Sequence, residues 1–131
     1  MGARYVIVLA LLTCACERGA TTGAKSTAVE WRRVGSWSGR GNLQTESFTS
    51  DTGGFRVRWQ TMHEDPPGAG RLKVVFRSGD SGRDIIDAVD VRGVGSGTEH
   101  VGDRPRWYFL TIDSANVDWT VTVEEPVVVT R

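Results

Sequence analysis

Residues 105–125, PRWYFLTIDSANVDWTVTVEE, contain two runs in which apolar and polar side chains alternate. Side chains along a β-strand point to opposite faces in turn, so this alternation predicts strands with one buried and one solvated face. The buried face is expected to carry Tyr108, Leu110 and Ile112 from the first run and Val117, Trp119, Val121 and Val123 from the second. We predict that these two strands form a hairpin and that the other strands of the chain complete its core.

The preceding sequence supplies those strands. Alternation or β-branched content predicts strands at residues 29–34, 43–50, 55–59 and 72–77. Residues 35–42 (GSWSGRGN) are expected to form a glycine-rich turn or bulge, and turns or loops are also predicted at 51–54, 62–70 and 78–82. Residues 83–94 have Ile85, Ile86 and Val89 at helical spacing, but their β-branched content favours a strand with a bulge. Residues 95–103 are predicted to form a loop and a short edge strand.

Seven or eight short strands with turn signals every eight to twelve residues indicate an all-β fold. We predict a single antiparallel β-sandwich that is jelly-roll-like. A chain of 131 residues is long enough for one such domain and its core.

Charge and cysteine content exclude several function classes. Lys and Arg together number 16 and are balanced by 16 Asp and Glu, so we expect no nucleic-acid partner. Both cysteines, Cys14 and Cys16, precede the folded body. That body therefore has no internal disulfide, thiolate nucleophile or cysteine-ligated metal.

The N-terminus is typical of a signal peptide. One positive charge in residues 1–4 precedes the apolar run 5–12 (YVIVLALL), which is far shorter than the ~20 residues needed to span a bilayer. The cysteines that follow resemble the cleavage region of a bacterial lipoprotein. Cys16 is favoured as the lipidated residue, because Ala15 precedes it and polar sequence follows, while Cys14, with Leu11 three places before it, is the alternative. An ordinary secretory signal with incidental cysteines remains a further interpretation.

These features divide the chain into four parts. Residues 1–16 are the predicted signal peptide, ending at the lipidation cysteine. Residues 17–28 (ERGATTGAKSTA) are expected to be a flexible tether. Residues 29–126 are expected to form the β-sandwich, and residues 127–131 a tail or edge strand. We expect an extracytoplasmic protein anchored to the bacterial cell membrane or outer membrane, or otherwise secreted.

A resemblance adds to this interpretation. The motifs that carry it are, in this order, Trp37-Ser38-Gly39-Arg40-Gly41, Thr45…Phe48, Phe55-x-Val57-x-Trp59, Leu72-x-Val74, Gly95-Ser96-Gly97, Tyr108-x-Leu110-x-Ile112-x-Ser114 and Trp119-x-Val121-x-Val123-Glu124. Over residues 36–124 the chain resembles a group of small, uncharacterised secreted or lipid-anchored prokaryotic β-sandwich proteins. Residues 103–106 (DRPR) depart from the glycine-rich approach that the group often has there. The resemblance implies fold and compartment, and it implies no activity.

Three polar clusters are candidates for chemistry, and each has a simpler explanation. His63-Glu64-Asp65 lies in a proline-closed loop, and residues 80–84 (DSGRD) lack the spacing of a strong calcium loop. His100 lies beside Glu99 and near Asp103, as a general base would, but no motif supplies a nucleophilic serine or an oxyanion hole. We therefore predict no catalytic residue, no metal site and no cofactor, and keep a small hydrolase around His100 as the second alternative.

The tryptophans provide the other candidate site. Trp59 and Trp119 are expected in the core, whereas Trp31, Trp37 and Trp107 could either cover sheet edges or form an exposed platform for sugar rings. The function expected first is a non-enzymatic envelope lipoprotein with a binding or structural domain. Its partners would be the membrane, through the lipid anchor, and a polysaccharide or an envelope protein. A carbohydrate-binding module that uses the exposed tryptophans is the first alternative.

Overall fold

The computed structural model describes Gly2 and residues 27–130. The predicted signal peptide, both candidate lipidation cysteines and the tether up to residue 26 lie outside the described residues, apart from Gly2. No helix in the described part of the chain is long and apolar enough to cross a membrane.

The described residues form two antiparallel sheets that pack face to face. Sheet A has the strand order β1-β9-β4-β7, and sheet B has the order β2-β8-β5-β6, with β3 also paired to β8. The strands are β1 (Thr27–Arg40), β2 (Leu43–Gln44), β3 (Phe48–Ser50), β4 (Gly54–Met62), β5 (Arg71–Ser78), β6 (Asp84–Arg92), β7 (Gly95–Gly102), β8 (Arg106–Ala115) and β9 (Asp118–Thr130).

The connections give this sandwich a jelly-roll topology. The turn between β5 and β6 joins neighbours within sheet B, and β2 and β3 are two pieces of one broken edge strand along β8. Every other connection crosses from one sheet to the other. The predicted all-β, antiparallel sandwich is therefore confirmed, with eight strands when β2 and β3 are counted together.

The core lies between the inner faces, where the alternation in the sequence placed it. All seven apolar residues predicted to face inward from residues 105–125 are buried. Four rings form its centre, and every pair among them has centroids 4.8–6.5 Å apart: Phe48, Phe55, Phe76 and Tyr108. Such ring pairs contribute about 0.5–1.5 kcal/mol beyond the area they bury.

The predicted hairpin of residues 105–125 is wrong. β8 pairs with β2, β3 and β5, whereas β9 pairs with β1 and β4, so the link through Asn116 joins opposite sheets. Asn116 has a φ of 61°, which allows a tight reversal of the chain there. The two apolar faces consequently meet across the core instead of lying side by side.

The glycine-rich residues 35–42 do not form a turn over most of their length, whereas the alternative, a bulge, is present at their start. β1 continues to Arg40, with a register shift between Arg33 and Gly35. A Cβ at Gly35 would lie 2.4 Å from the Trp37 ring, and one at Gly39 would lie 3.3 Å from the Trp119 ring. These glycines make room for tryptophan rings on a continuous strand.

Several other boundaries also differ from the expectations. Residues 83–94 form a strand, as favoured over a helix, whereas 95–102 form a full edge strand and 43–50 divide into β2 and β3. At the C-terminal end, β9 extends to Thr130, which pairs with Thr27. Residues 127–130 are therefore part of an edge ribbon, and β1 begins inside the predicted tether.

One end of the core is closed by polar contacts. The Tyr108 hydroxyl donates towards Asp103 Oδ2 at 2.8 Å and the Arg104 carbonyl oxygen, an arrangement like the tyrosine corner of β-sandwiches. Glu125, only 2% exposed, accepts a hydrogen bond from the Ser50 hydroxyl at 2.9 Å and pairs with Arg32. These contacts fix the loops at the end of the sandwich from which the β1–β9 ribbon extends.

Candidate functional site

The outer face of sheet A carries a polar groove of about 510 Å³. The four strands of this sheet present their polar side chains there, because their apolar residues occupy the alternate, inward positions. Cross-strand pairing in the order β1, β9, β4, β7 arranges the side chains in rows. The rows are Ser38-Thr120-Gln60-Ser96, Ser36-Thr122-Arg58-Thr98 and Arg33-Glu124-Arg56-His100.

Two of these rows consist mainly of hydroxyl and amide groups. Ser36 and Thr122 hydroxyls lie 2.9 Å apart and bridge β1 and β9. Gln60, Ser96 and Thr98 line the same groove. Each hydroxyl can donate and accept a hydrogen bond, and a side-chain amide offers both kinds of group. This part of the groove therefore presents a dense and rigidly spaced array of donors and acceptors.

The third row is organised by a buried carboxylate. Arg56 donates to Glu124 through Nε (3.3 Å) and Nη2 (3.0 Å), and Arg58 Nη1 lies 3.5 Å from Glu124 Oε1. Hydrogen bonding from Arg56 holds the pKa of Glu124 below its ordinary value, in spite of the opposing effect of burial. Glu124 is consequently ionised near neutral pH and fixes the position of the Arg56 guanidinium.

Trp31 lies on the same outer face, two residues along β1 from Arg33. The Arg56 guanidinium carbon lies 4.4 Å from the centroid of the Trp31 ring, and the His100 ring meets Trp31 edge-on at a centroid distance of 5.7 Å. One face of the indole is thus already covered by a cation. Trp31 is therefore engaged by Arg56 and His100 and is not a free stacking platform.

The opposite end of the face carries a smaller polar cluster. Asp118 Oδ1 lies 3.1 Å from Arg40 Nη1, and its Oδ2 lies 2.7 Å from His63 Nδ1. These hydrogen bonds lower the pKa of Asp118, and the one with His63 has the larger effect. The charges of this cluster are therefore satisfied within it.

The three tryptophans suggested as a ligand platform lie on three different surfaces. Trp31 is on the outer face of sheet A, whereas Trp37 points inward and packs against Phe48 with its Nε1 3.4 Å from Glu46 Oε2. Trp107 is 53% exposed on the outer face of sheet B. The structure does not bring these residues together.

The residues suggested for other chemistry are also separated. His100 contacts Trp31, whereas Asp103 pairs with Tyr108 and Arg106, and no contact within residues 27–130 joins His100 to Asp103 or to a serine hydroxyl. Glu64 of the proline loop accepts hydrogen bonds from the Gly68 and Gly70 amides. Over the described part of the chain, no group of three or more His, Cys, Asp or Glu side chains is placed to hold a metal ion.

Sequence reasoning missed most of the groove. The alternation of Arg56, Arg58 and Gln60, and that of Thr120, Thr122 and Glu124, did show two solvated strand faces. Their union into one surface depends on the pairing of β9 with β4, which no local pattern encodes.

Comparison with known proteins adds no family assignment. No protein-family model matches the chain, and no curated protein matches it. The function proposed below therefore rests on the geometry of the site and on the N-terminal sequence.

Proposed function

We propose that the protein is a non-enzymatic cell-envelope lipoprotein whose β-sandwich binds a glycan in the groove on the outer face of sheet A. The observation that carries the glycan part is the arrangement of hydroxyl, amide and guanidinium groups in rows across four hydrogen-bonded strands. Sugars present many hydroxyl groups at fixed spacing, and such an array matches them. The groove volume of about 510 Å³ lies in the range of ligand sites.

Rigidity of the scaffold favours this function. The groove is built on regular strands, and its floor is the backbone of sheet A, whose inner face carries the core residues Val57, Val121 and Val123. A backbone held in this way loses little further freedom when a ligand binds, so the cost of ordering is confined to the exposed side chains.

The proposed glycan site differs from the platform of three tryptophans that the sequence suggested. Of Trp31, Trp37 and Trp107, Trp31 alone borders the groove rows, through its contacts with Arg56 and His100. Recognition would then rely on hydrogen bonds and charge, and would use less stacking than the sequence suggested. The arrangement around His100 offers no comparable support for a hydrolase.

Anchoring to the envelope is the second part of the proposal, and it rests on residues 1–16. The apolar run followed by Thr13-Cys14-Ala15-Cys16 supports cleavage before Cys16, with Cys14 as the alternative. Intact mass of the protein from a membrane fraction tests it. A lipid-sized mass increase that is lost in Cys16→Ser but kept in Cys14→Ser is expected, whereas an unmodified protein in the medium would overturn the anchor.

Glycan binding is tested with the full chain and a panel of immobilised neutral and acidic polysaccharides. Gln60→Ala removes one donor–acceptor group from the groove and is expected to weaken binding about tenfold, the effect of roughly 1–1.5 kcal/mol. Gln44→Ala is the matched control, because Gln44 is exposed on a strand of sheet B. Failure of every glycan to bind, or equal loss in both variants, would reject the proposal.

A further inference from the structure

Positive charge is concentrated at one end of the groove. Three arginines, Arg33, Arg56 and Arg58, surround a single carboxylate, Glu124. Three positive charges and one negative charge leave an excess of two, although the whole chain has equal numbers of acidic and basic residues. The excess is therefore a local property of this surface.

Glu124 is already committed to Arg56. The pair is bidentate, with distances of 3.3 and 3.0 Å, and the carbon of the same guanidinium group lies 4.4 Å from the centroid of the Trp31 ring. Paired guanidinium and carboxylate groups of this geometry form strong charge-assisted hydrogen bonds. Arg56 and Glu124 are thus committed to each other, and the guanidinium groups that remain for a ligand are those of the two other arginines.

Arg33 and Arg58 have unused binding capacity. The Arg58 side chain is 60% exposed and makes one long contact, 3.5 Å, with the shared carboxylate. Arg33 lies directly across from Glu124 on β1, is exposed, and has no ion pair among residues 27–130. β1 and β4 flank β9, and Arg33 pairs with Glu124 whereas Arg58 pairs with Thr122. The two arginines therefore start about 12 Å apart on either side of the groove, two strand spacings across and two residues along the strands.

Charges elsewhere on the outer surfaces are matched more evenly. On sheet B, Arg71 lies 3.2 Å from Asp113 and Lys73 lies 3.6 Å from Asp87. At the far end of sheet A, Arg40 is neutralised by Asp118. The contrast shows that the excess at Arg33 and Arg58 is not the general character of these sheets.

We infer that this end of the groove is an anion subsite and that the glycan bound there is an acidic polysaccharide, held through its carboxylate groups by Arg33 and Arg58. The planar guanidinium fork matches a carboxylate, and the adjoining rows of Thr122, Thr98 and Gln60 match sugar hydroxyls. This inference rests on the proposed function and adds the chemical class of the ligand. Glu124 is a positioning residue in it.

The test compares polygalacturonate with its fully methyl-esterified form, using the full chain at low and moderate ionic strength. The two polymers have the same sugar backbone and differ in carboxylate charge. Tighter binding of the acid form, weakened by added salt, is expected. Arg58→Gln and Arg33→Gln are each expected to weaken binding of the acid form about tenfold and to leave binding of the ester nearly unchanged.

Arg83→Gln is the matched control, because Arg83 is an exposed arginine beside the β5–β6 turn, remote in the fold from the groove. Equal loss in Arg83→Gln and Arg58→Gln would show non-specific attraction and overturn the subsite. Equal affinity for acid and ester, or binding of neutral glycans alone, would overturn the acidic ligand and leave the glycan function standing. Failure of all glycans would remove the proposed function itself. Both arginines of the subsite are exposed, so their variants are expected to keep the wild-type melting temperature.

Discussion

Substitution of Gly97 on β7 is predicted to destabilise the domain, because the Trp59 indole occupies the space beside this glycine. The two residues are paired across the β4–β7 ladder and face the core. A Cβ at Gly97 would lie 2.9 Å from three atoms of the ring, closer than carbon atoms approach without displacement. Gly97→Ala must therefore move an indole that is packed against the core.

Gly95 on the same strand is the matched control. A Cβ at Gly95 would lie 3.7 Å from the same ring, which is an ordinary contact distance. Forcing extra atoms into a packed region costs about 1–3 kcal/mol, so Gly97→Ala should lower the free energy of unfolding by that amount. Gly95→Ala should change it by less than about 0.5 kcal/mol, or raise it slightly by restricting the unfolded chain.

Urea unfolding followed by tryptophan fluorescence measures both variants. For a domain of about 100 residues, each kcal/mol corresponds to roughly 4–8 °C in melting temperature, so the two variants should be clearly separated. Trp59→Phe in the Gly97→Ala background should recover part of the loss, because the smaller ring leaves room for the methyl group. Equal stability of Gly97→Ala and Gly95→Ala would refute the argument, as would a Trp59→Phe change whose effect simply adds to that of Gly97→Ala.

Two further predictions concern pH. Burial, together with Asp103, raises the pKa of Tyr108 to about 12 from 10, so its contribution to stability is full below pH 10 and is lost as the pH rises from 10 towards 12. At pH 7 the free energy of unfolding of Tyr108→Phe should be about 1–2 kcal/mol lower than that of wild type. When urea unfolding is repeated at pH 11.5, the free energy of unfolding should fall less in the variant than in wild type. A fall in the variant as large as that in wild type would contradict this role. The pKa of Glu124 is lowered through Arg56, so its contribution is full above the ordinary carboxyl range near pH 4.5 and is lost as the pH falls through the lower folded value. Arg56→Gln should therefore lose less stability than wild type between pH 7 and pH 3, with Arg83→Gln as the control that keeps the wild-type difference.

The inward faces of the strands could be predicted, but the partners of the strands could not. Alternation in residues 105–125 correctly assigned Tyr108 and Trp119 to the core. The same alternation led to the wrong prediction of a hairpin. A strand that turns back within its own sheet and a strand that crosses to the opposite sheet bury the same residues, so their patterns cannot be told apart. Side-chain period determines which face is apolar, and it carries no information on which neighbour donates the hydrogen bonds.

The glycines misled for a related reason. Residues 35–42 have the composition of a turn, yet Gly35 and Gly39 lie on β1 and leave space for the rings of Trp37 and Trp119. That requirement arises from side chains that meet only after the strands pair. Arg33 and Glu124 likewise become neighbours through the β1–β9 ladder, across 91 positions of sequence. Tertiary contacts of this kind leave no local signal.

The length of the β1–β9 ladder has a mechanical consequence. The chain enters the sandwich at Thr27, and β1 is paired with β9 from the Thr27–Thr130 pair to the Arg40–Asp118 pair. Were the proposed polymer bound at Arg58 on β4, tension between it and Thr27 would pass along β1, through β9, and into β4. Ladder bonds in antiparallel strands are perpendicular to the strands, so this pull shears many bonds together and does not open them one at a time. The β1–β9 ladder thus resists mechanical unfolding of the domain when the chain is pulled at Thr27.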